Sequence, residues 1–195
     1  MHGENPELPK HEATPTVPYA ASKLAGEAYC GSFTEVHGLL TDAPRYFNVF
    51  GPRQDPRSQY SAVTPLFSSS FQNGVAPTVY GDGEKSRDFT HAENAIEANV
   101  RAADAGPECV SGQAYNVASG VRISLNELRT LTQTRLAPDC GEPRVRDVRP
   151  SQADISRASE RLEYEPRIEA RDGLWRSFAL YEERRGGGHG RTAPA

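Results

Sequence analysis

The run Pro18-Tyr19-Ala20-Ala21-Ser22-Lys23 decides how the rest of the chain is read. Tyr19 and Lys23 are four residues apart, so on a helix they lie one turn above each other on a single face. Pro18 suits the first turn of that helix, where its missing N–H would be unpaired in any case. A phenol beside a fixed ammonium can act as a general base. The positive charge favours the phenolate and draws a group that ordinarily titrates at about 10 towards the working range. The small residues around the pair (Ala20, Ala21, Ser22, Ala25 and Gly26) let a second backbone or a flat cofactor come close. As a bare pattern, a tyrosine and a lysine at this spacing describe a surface pair more often than a site, so the choice between the two needs support from elsewhere in the chain.

Two more C-terminal blocks supply it. Arg45-Tyr46-Phe47-Asn48-Val49-Phe50-Gly51-Pro52-Arg53-Gln54 reads as a strand that turns sharply at Asn48, and Gly81-Asp82-Gly83 is followed by Arg87-Asp88-Phe89. Together with Pro18 to Glu27 (PYAASKLAGE), and in this order, they resemble the extended short-chain dehydrogenase/reductase family of NAD-dependent nucleotide-sugar epimerases and dehydratases. The resemblance runs from about residue 1 to about residue 183. It implies an α/β fold: the C-terminal part of an NAD(P)-binding Rossmann-fold domain with its small substrate-binding α/β subdomain. Residues 1–57 would end the Rossmann domain and carry the Tyr-x-x-x-Lys helix. Residues 58–183 would be mainly the nucleotide-sugar part, with some segments returning to the Rossmann domain, and residues 184–195 a disordered tail.

The resemblance also implies roles. Tyr19 would remove a proton from a sugar hydroxyl while hydride leaves the same carbon for NAD, and Lys23 would hold the nicotinamide ribose. Both are therefore catalytic and cofactor-binding candidates. Asn48 and Arg87 would donate to the diphosphate or sugar, a task that suits the planar fork of arginine. Arg144 aligns with a second phosphate-binding arginine and Asp147 with an acid that accepts from the nucleoside ribose, although Arg146 stands where the family has glycine. Asn94 stands where an aspartate is usual. The branch most resembled is that of the nucleotide-sugar 4-epimerases acting on UDP-glucose or UDP-N-acetylglucosamine. There a bound 4-keto sugar turns over and hydride returns to its opposite face, so that NAD is a retained tool. The alternatives are a catalytically silent truncated remnant that binds nucleotide sugar or a partner chain, and a fragment of a related sugar dehydratase or decarboxylase. The family further implies a homodimer.

A dinucleotide pyrophosphate is held by a glycine-rich turn between a strand and a helix. No Gly-x-x-Gly-x-x-Gly or Gly-x-Gly-x-x-Gly follows a strand in this sequence, and the Gly186–Gly190 cluster lies in a polar stretch that reads as linker. The chain is therefore expected to correspond to the C-terminal part of such an enzyme, without the NAD-binding half. His2-Gly3-Glu4 stands where the family opens a loop with Tyr-Gly-Glu, and the family's substrate-bonding Ser or Thr would lie upstream of Met1. His2 and His11 read as solvated loop residues.

Composition adds bounds. A chain of 195 residues can build one core, burying roughly 70 % of its unfolded surface. The net charge of −4 with 25 % charged residues offers nothing to draw nucleic acid. Cys30, Cys109 and Cys140 are odd in number and widely spaced, which fits free thiols in a reducing compartment better than metal ligands or disulfides. No apolar run approaches the roughly 20 residues of a membrane span, and the first residues are polar. The expectation is a cytoplasmic protein with no membrane partner.

Periodicity supplies the elements. It predicts a helix over 18–38 ended by Gly38, a strand over 43–47, and a helix over 59–73 with Val63, Leu66, Phe67 and Phe71 inward and Gly74 as its cap. A strand at 77–80 precedes a helix over 92–104, whose packing stripe is Ala95, Ile96, Ala98, Asn99 and Ala102. A strand at 113–117 comes next. Ser124-Leu125-Asn126-Glu127 has the capping-box form and opens a helix to about Leu136. A strand at 144–149, a helix around 154–162 and a last helix over 169–184, held by Leu174, Trp175, Phe178, Leu180 and Tyr181, complete the reading.

Overall fold

The computed structural model describes residues 18–52, 54, 78–131, 139–141 and 152–186. Their order is α1 (Pro18–His37), β1 (Asp42–Tyr46), β2 (Val49–Phe50), β3 (Thr78–Tyr80), β4 (Ser86–Asp88), β5 (Thr90–His91) and α2 (Ala92–Asp104). Then come α3 (Pro107–Val110), β6 (Gln113–Val117), β7 (Arg122–Ser124), α4 (Leu125–Leu131), β8 (Asp139–Gly141), α5 (Ser156–Leu162) and α6 (Ala170–Gly186). The helices expected over 18–38, 92–104, 154–162 and 169–184 are present, each within two residues of its expected ends. The helix expected over 59–73 and the strand at 144–149 lie outside the described residues.

The strands form four pairs. β1 runs parallel to β6, from Asp42 opposite Gln113 to Tyr46 opposite Val117. β2 runs parallel to β5 and β3 to β8, whereas β4 and β7 are antiparallel, with Arg87 opposite Ile123. Parallel strands cannot be joined by a tight turn, and α2 and α3 lie on the path that leads from β5 to β6, the partner of β1. Among the described residues β1 pairs with β6 alone. It contains Pro44, which cannot donate to a ladder and is tolerated at a strand edge.

Three apolar clusters hold the described residues, the smallest joining Phe47, Ala118 and Ala153. The first joins Phe50, Phe89, Ile123, Leu128 and the α6 residues Ala170, Leu174 and Phe178. The second packs Ala98 and Ala102 of α2 against Tyr115, Val117, Ala158, Leu162 and Tyr164. Alanines on α2 let its backbone come close to the β1–β6 pair. The expected stripe is corrected at two positions: Ile96 and Asn99 are exposed, and Asn94 is buried in their stead. On α6, Leu174 and Phe178 are buried as expected, but Leu180 is 40 % exposed.

Local signals explain the ends. Gly38 takes φ +64° and its N–H reaches back to the Thr34 carbonyl, a helix stop that a Cβ would strain. The capping box is half formed. The Ser124 hydroxyl accepts the Glu127 N–H at 3.1 Å, but the Glu127 carboxylate turns away to Arg171 of α6 at 2.6 Å. Cys30 and Cys109 are half-buried free thiols. No helix among the described residues is long and apolar enough to cross a membrane.

Candidate active site

Asn48 comes after β1 at the bend into β2 with φ +40°, a conformation that asparagine tolerates better than most side chains. Its side-chain amide donates to the Asp88 carbonyl at 2.7 Å, and its own carbonyl accepts from Thr90 N–H at 3.4 Å. The Thr90 hydroxyl donates to the Phe47 carbonyl at 2.6 Å. These bonds draw Asn48 against the backbone of β4, so that its amide bonds the residue that follows Arg87, a substrate candidate 39 positions on in the sequence. Arg87 is half-buried and donates to the Ser86 carbonyl at 3.1 Å.

Asp88 is the knot of this corner. It is fully buried. Oδ1 accepts from the backbone and hydroxyl of Ser119 at 3.0 and 2.7 Å, and Oδ2 from the N–H groups of Gly120 and Ala153 at 3.1 and 3.2 Å. Burial pushes its carboxyl above the ordinary carboxylate range, and the four donors offset part of that rise. The same burial raises the phenol of Tyr164, whose hydroxyl donates to the Ala118 carbonyl at 2.9 Å.

The Gly81-Asp82-Gly83 turn closes onto the start of α4. Asn126 N–H donates to the Gly83 carbonyl at 3.1 Å, and its side chain donates to the Asp82 carbonyl at 3.2 Å. A Cβ on Gly83 would meet Asn126 Oδ1 at 2.4 Å, so this glycine is required twice, by contact and by its φ of +77°.

Tyr19 and Lys23 stand apart from that corner. Both are exposed on α1, and the Lys23 ammonium lies 5.4 Å from the centroid of the Tyr19 ring. The spacing read from the sequence thus becomes a contact. No described hydrogen bond or ion pair links this face to Asn48 or Arg87. Arg144 and Asp147 lie outside the described residues.

Three residues near these groups escaped the sequence reading. Glu27, one turn beyond Lys23, is gripped by Arg45 of β1, and its i+4 spacing was a legible signal. Asp88 lies inside a motif whose spacing carries no sign of its buried role. His91 is buried, accepts the Glu93 N–H on Nδ1 at 3.3 Å as the cap of α2, and stacks edge-on to Phe50. Its Nε2 has no partner among the described residues. Burial lowers the titration of His91, Glu93 opposes that and Arg176 adds to it.

The profile of the NAD dependent epimerase/dehydratase family matches residues 1–118. The UDP-glucose 4-epimerase of Mycolicibacterium smegmatis is 33 % identical over 94 % of this chain and 60 % of its own length. A dTDP-glucose 4,6-dehydratase of Actinoplanes is 30 % identical over 90 % of the chain and 54 % of its own length. Among solved structures, the UDP-glucose 4-epimerase of Thermotoga maritima with UDP-glucose superposes with a TM-score of 0.85 at 29 % identity, covering 94 % of this chain and 60 % of that one. The chain therefore spans a little over half the length of the relatives it matches, and its α/β fold is that of their Rossmann-type architecture over the shared part. A profile match over more than half of the chain, with one-third identity along nearly all of it, carries the conclusion that the chain belongs to the NAD-dependent epimerase/dehydratase family.

Proposed function

We propose that the chain serves a nucleotide-sugar 4-epimerase of the UDP-glucose or UDP-N-acetylglucosamine type, with NAD as retained cofactor. The observation that carries this reading is the Tyr19–Lys23 pair, a phenol and an ammonium stacked one turn apart on an open helix face. That donor set fits the nicotinamide-ribose end of NAD. The pyrophosphate end has no glycine-rich turn in this sequence to hold it. When bound, NAD supplies a reversible hydride acceptor. Tyr19 takes the proton from the sugar hydroxyl through its phenolic oxygen and returns it after the sugar has turned over. Lys23 orients the ribose. Asn48 and Arg87 bind the substrate, Arg87 through its charge on the diphosphate. Arg144 and Asp147 complete that binding.

The division of labour matches the proposed segments: 1–57 for chemistry, 58–183 mainly for the nucleotide sugar, 184–195 as tail. A homodimer forms over α1, whose Leu24, Tyr29, Phe33 and Val36 are exposed apolar side chains. A second reading is a chain that binds nucleotide sugar without turning it over. One pair of measurements separates the two. The full chain is assayed with NAD for interconversion of UDP-glucose and UDP-galactose, and of their N-acetyl counterparts, and UDP is titrated by calorimetry. Replacing Arg87 with alanine is expected to weaken UDP by about 10- to 150-fold and uridine little. Binding without turnover supports the second reading, 4-keto product released from dTDP-glucose supports a dehydratase, and equal UDP affinity in R87A removes Arg87 from the site.

A further inference from the structure

We propose that Arg45 is a positioning residue that keeps Glu27 away from Lys23. It rests on the reading of Tyr19 and Lys23 as the reacting pair, and adds to it the device that leaves the lysine available. Tyr19, Lys23 and Glu27 succeed one another at four-residue intervals, so their side chains line one face of α1. A carboxylate one turn from an ammonium ordinarily pairs with it. Here it does not: among the described residues Lys23 forms no ion pair, and its ammonium lies 5.4 Å from the Tyr19 ring centroid instead.

Arg45 accounts for the difference. It reaches from β1 to α1 and grips both oxygens of Glu27, with Nε donating to Oε2 at 2.8 Å and Nη2 bonding Oε1. The side chains of Arg45 and Glu27 are only 13 % and 16 % exposed, so little water competes for the pair. A bidentate guanidinium–carboxylate fork is the strongest side-chain partner Glu27 could find, and it uses both acceptor oxygens. The same fork fixes the roll of α1 on β1, and with it the direction in which Tyr19 and Lys23 point.

Without Arg45, Glu27 would be a half-buried carboxylate without a cation, one turn from an ammonium. Lys23 would swing to it and leave Tyr19. The sequence holds three lysines, Lys10, Lys23 and Lys85, which makes this directly measurable. The full chain is labelled with a limiting amine reagent at fixed pH, and the Lys23 to Lys85 labelling ratio is read by peptide mass spectrometry. In R45M the ratio is expected to fall at least about twofold, because an ion-paired amine reacts more slowly. In R45M/E27Q, where glutamine cannot capture the ammonium, it returns to the wild-type value, and E27Q alone matches wild type. If R45M gives no cooperative melt, R45Q takes its place with the same expectation. An unchanged ratio in the single variant, or a fall that E27Q does not reverse, overturns the proposal, since a purely structural fork would not be repaired by removing its second partner. Labelling needs no turnover. An inactive chain with the expected pattern would sink the reaction proposed above and still support this role for Arg45.

Discussion

Helix α1 and the Asp88 corner are built on opposite principles. Of the twenty residues of α1 only Ala20 is buried, while Tyr19, Tyr29 and Val36 are each more than 60 % exposed. Its ties to the described remainder include the Arg45–Glu27 fork, the bond from the Thr41 hydroxyl to the Cys30 carbonyl and the hydroxyl pair of Thr34 and Thr41. The Asp88 corner is closed: Asp88, Phe89, Thr90, His91 and Asn94 are all buried, and the polar side chains among them bond within the chain. The difference teaches where stability and chemistry are lodged. The proposed substrate-side residues sit on a scaffold that pins itself, whereas the proposed reacting pair sits on a helix whose surface is left open among the described residues.

The contrast would break most visibly at Asp88. Alanine there would strand three backbone N–H groups and the Ser119 hydroxyl in the interior, at a cost of about 3–5 kcal/mol. Denaturant unfolding checks this, and a loss below about 1 kcal/mol would mean that the corner is not self-supporting.

Asn94 comes next. Its amide donates to the Ile168 carbonyl at 2.8 Å and its carbonyl accepts the Ile168 N–H at 3.0 Å, a two-way clamp between α2 and the segment before α6. Aspartate, the family's usual residue, can keep the second bond but not donate the first. Asn94→Asp is expected to cost about 2 kcal/mol at neutral pH, read from the same unfolding curves.

His91 adds a pH dependence of smaller size. Burial lowers its titration, so the folded state resists a proton that the unfolded chain accepts below about pH 6.5. Its contribution is whole above that value and is lost as pH falls. The melting temperature should therefore decline between about pH 7.5 and 5.5, and His91→Asn, which can keep an acceptor at the helix cap, should flatten that decline. Asp88, whose carboxyl is raised, has the opposite sign: stability from it is lost as pH rises through its folded value, in a window lying above 3.8. An unaltered slope in H91N would show that other groups carry the effect.

The smallest effect belongs to α1. Tyr19→Phe removes a hydroxyl from a residue that is 63 % exposed, and stability should shift by less than about 0.5 kcal/mol. If the proposed chemistry holds, the same variant loses turnover while UDP binding persists. A large stability loss would mean that α1 is more tightly engaged than its exposure indicates.

By itself the sequence determined the four helices α1, α2, α5 and α6 and the stacking of Tyr19 and Lys23. Local chemistry suffices for them: a four-residue interval puts Lys23 over Tyr19, Gly38 stops α1, and the 3.6-residue period marks α2. It also made the family legible, through three short blocks whose order survives translation into any geometry. Only the tertiary structure decided that the Asn48 amide bonds the Asp88 carbonyl, one residue from Arg87, and that Glu127 abandons its cap for Arg171. The same holds for Asn94 replacing Ile96 and Asn99 on the packed face, and for Glu27 being held by Arg45 rather than by Lys23. Each of these is a choice between partners far apart in the chain. Such choices are made by burial and by competition for hydrogen bonds, neither of which exists until the segments are brought together.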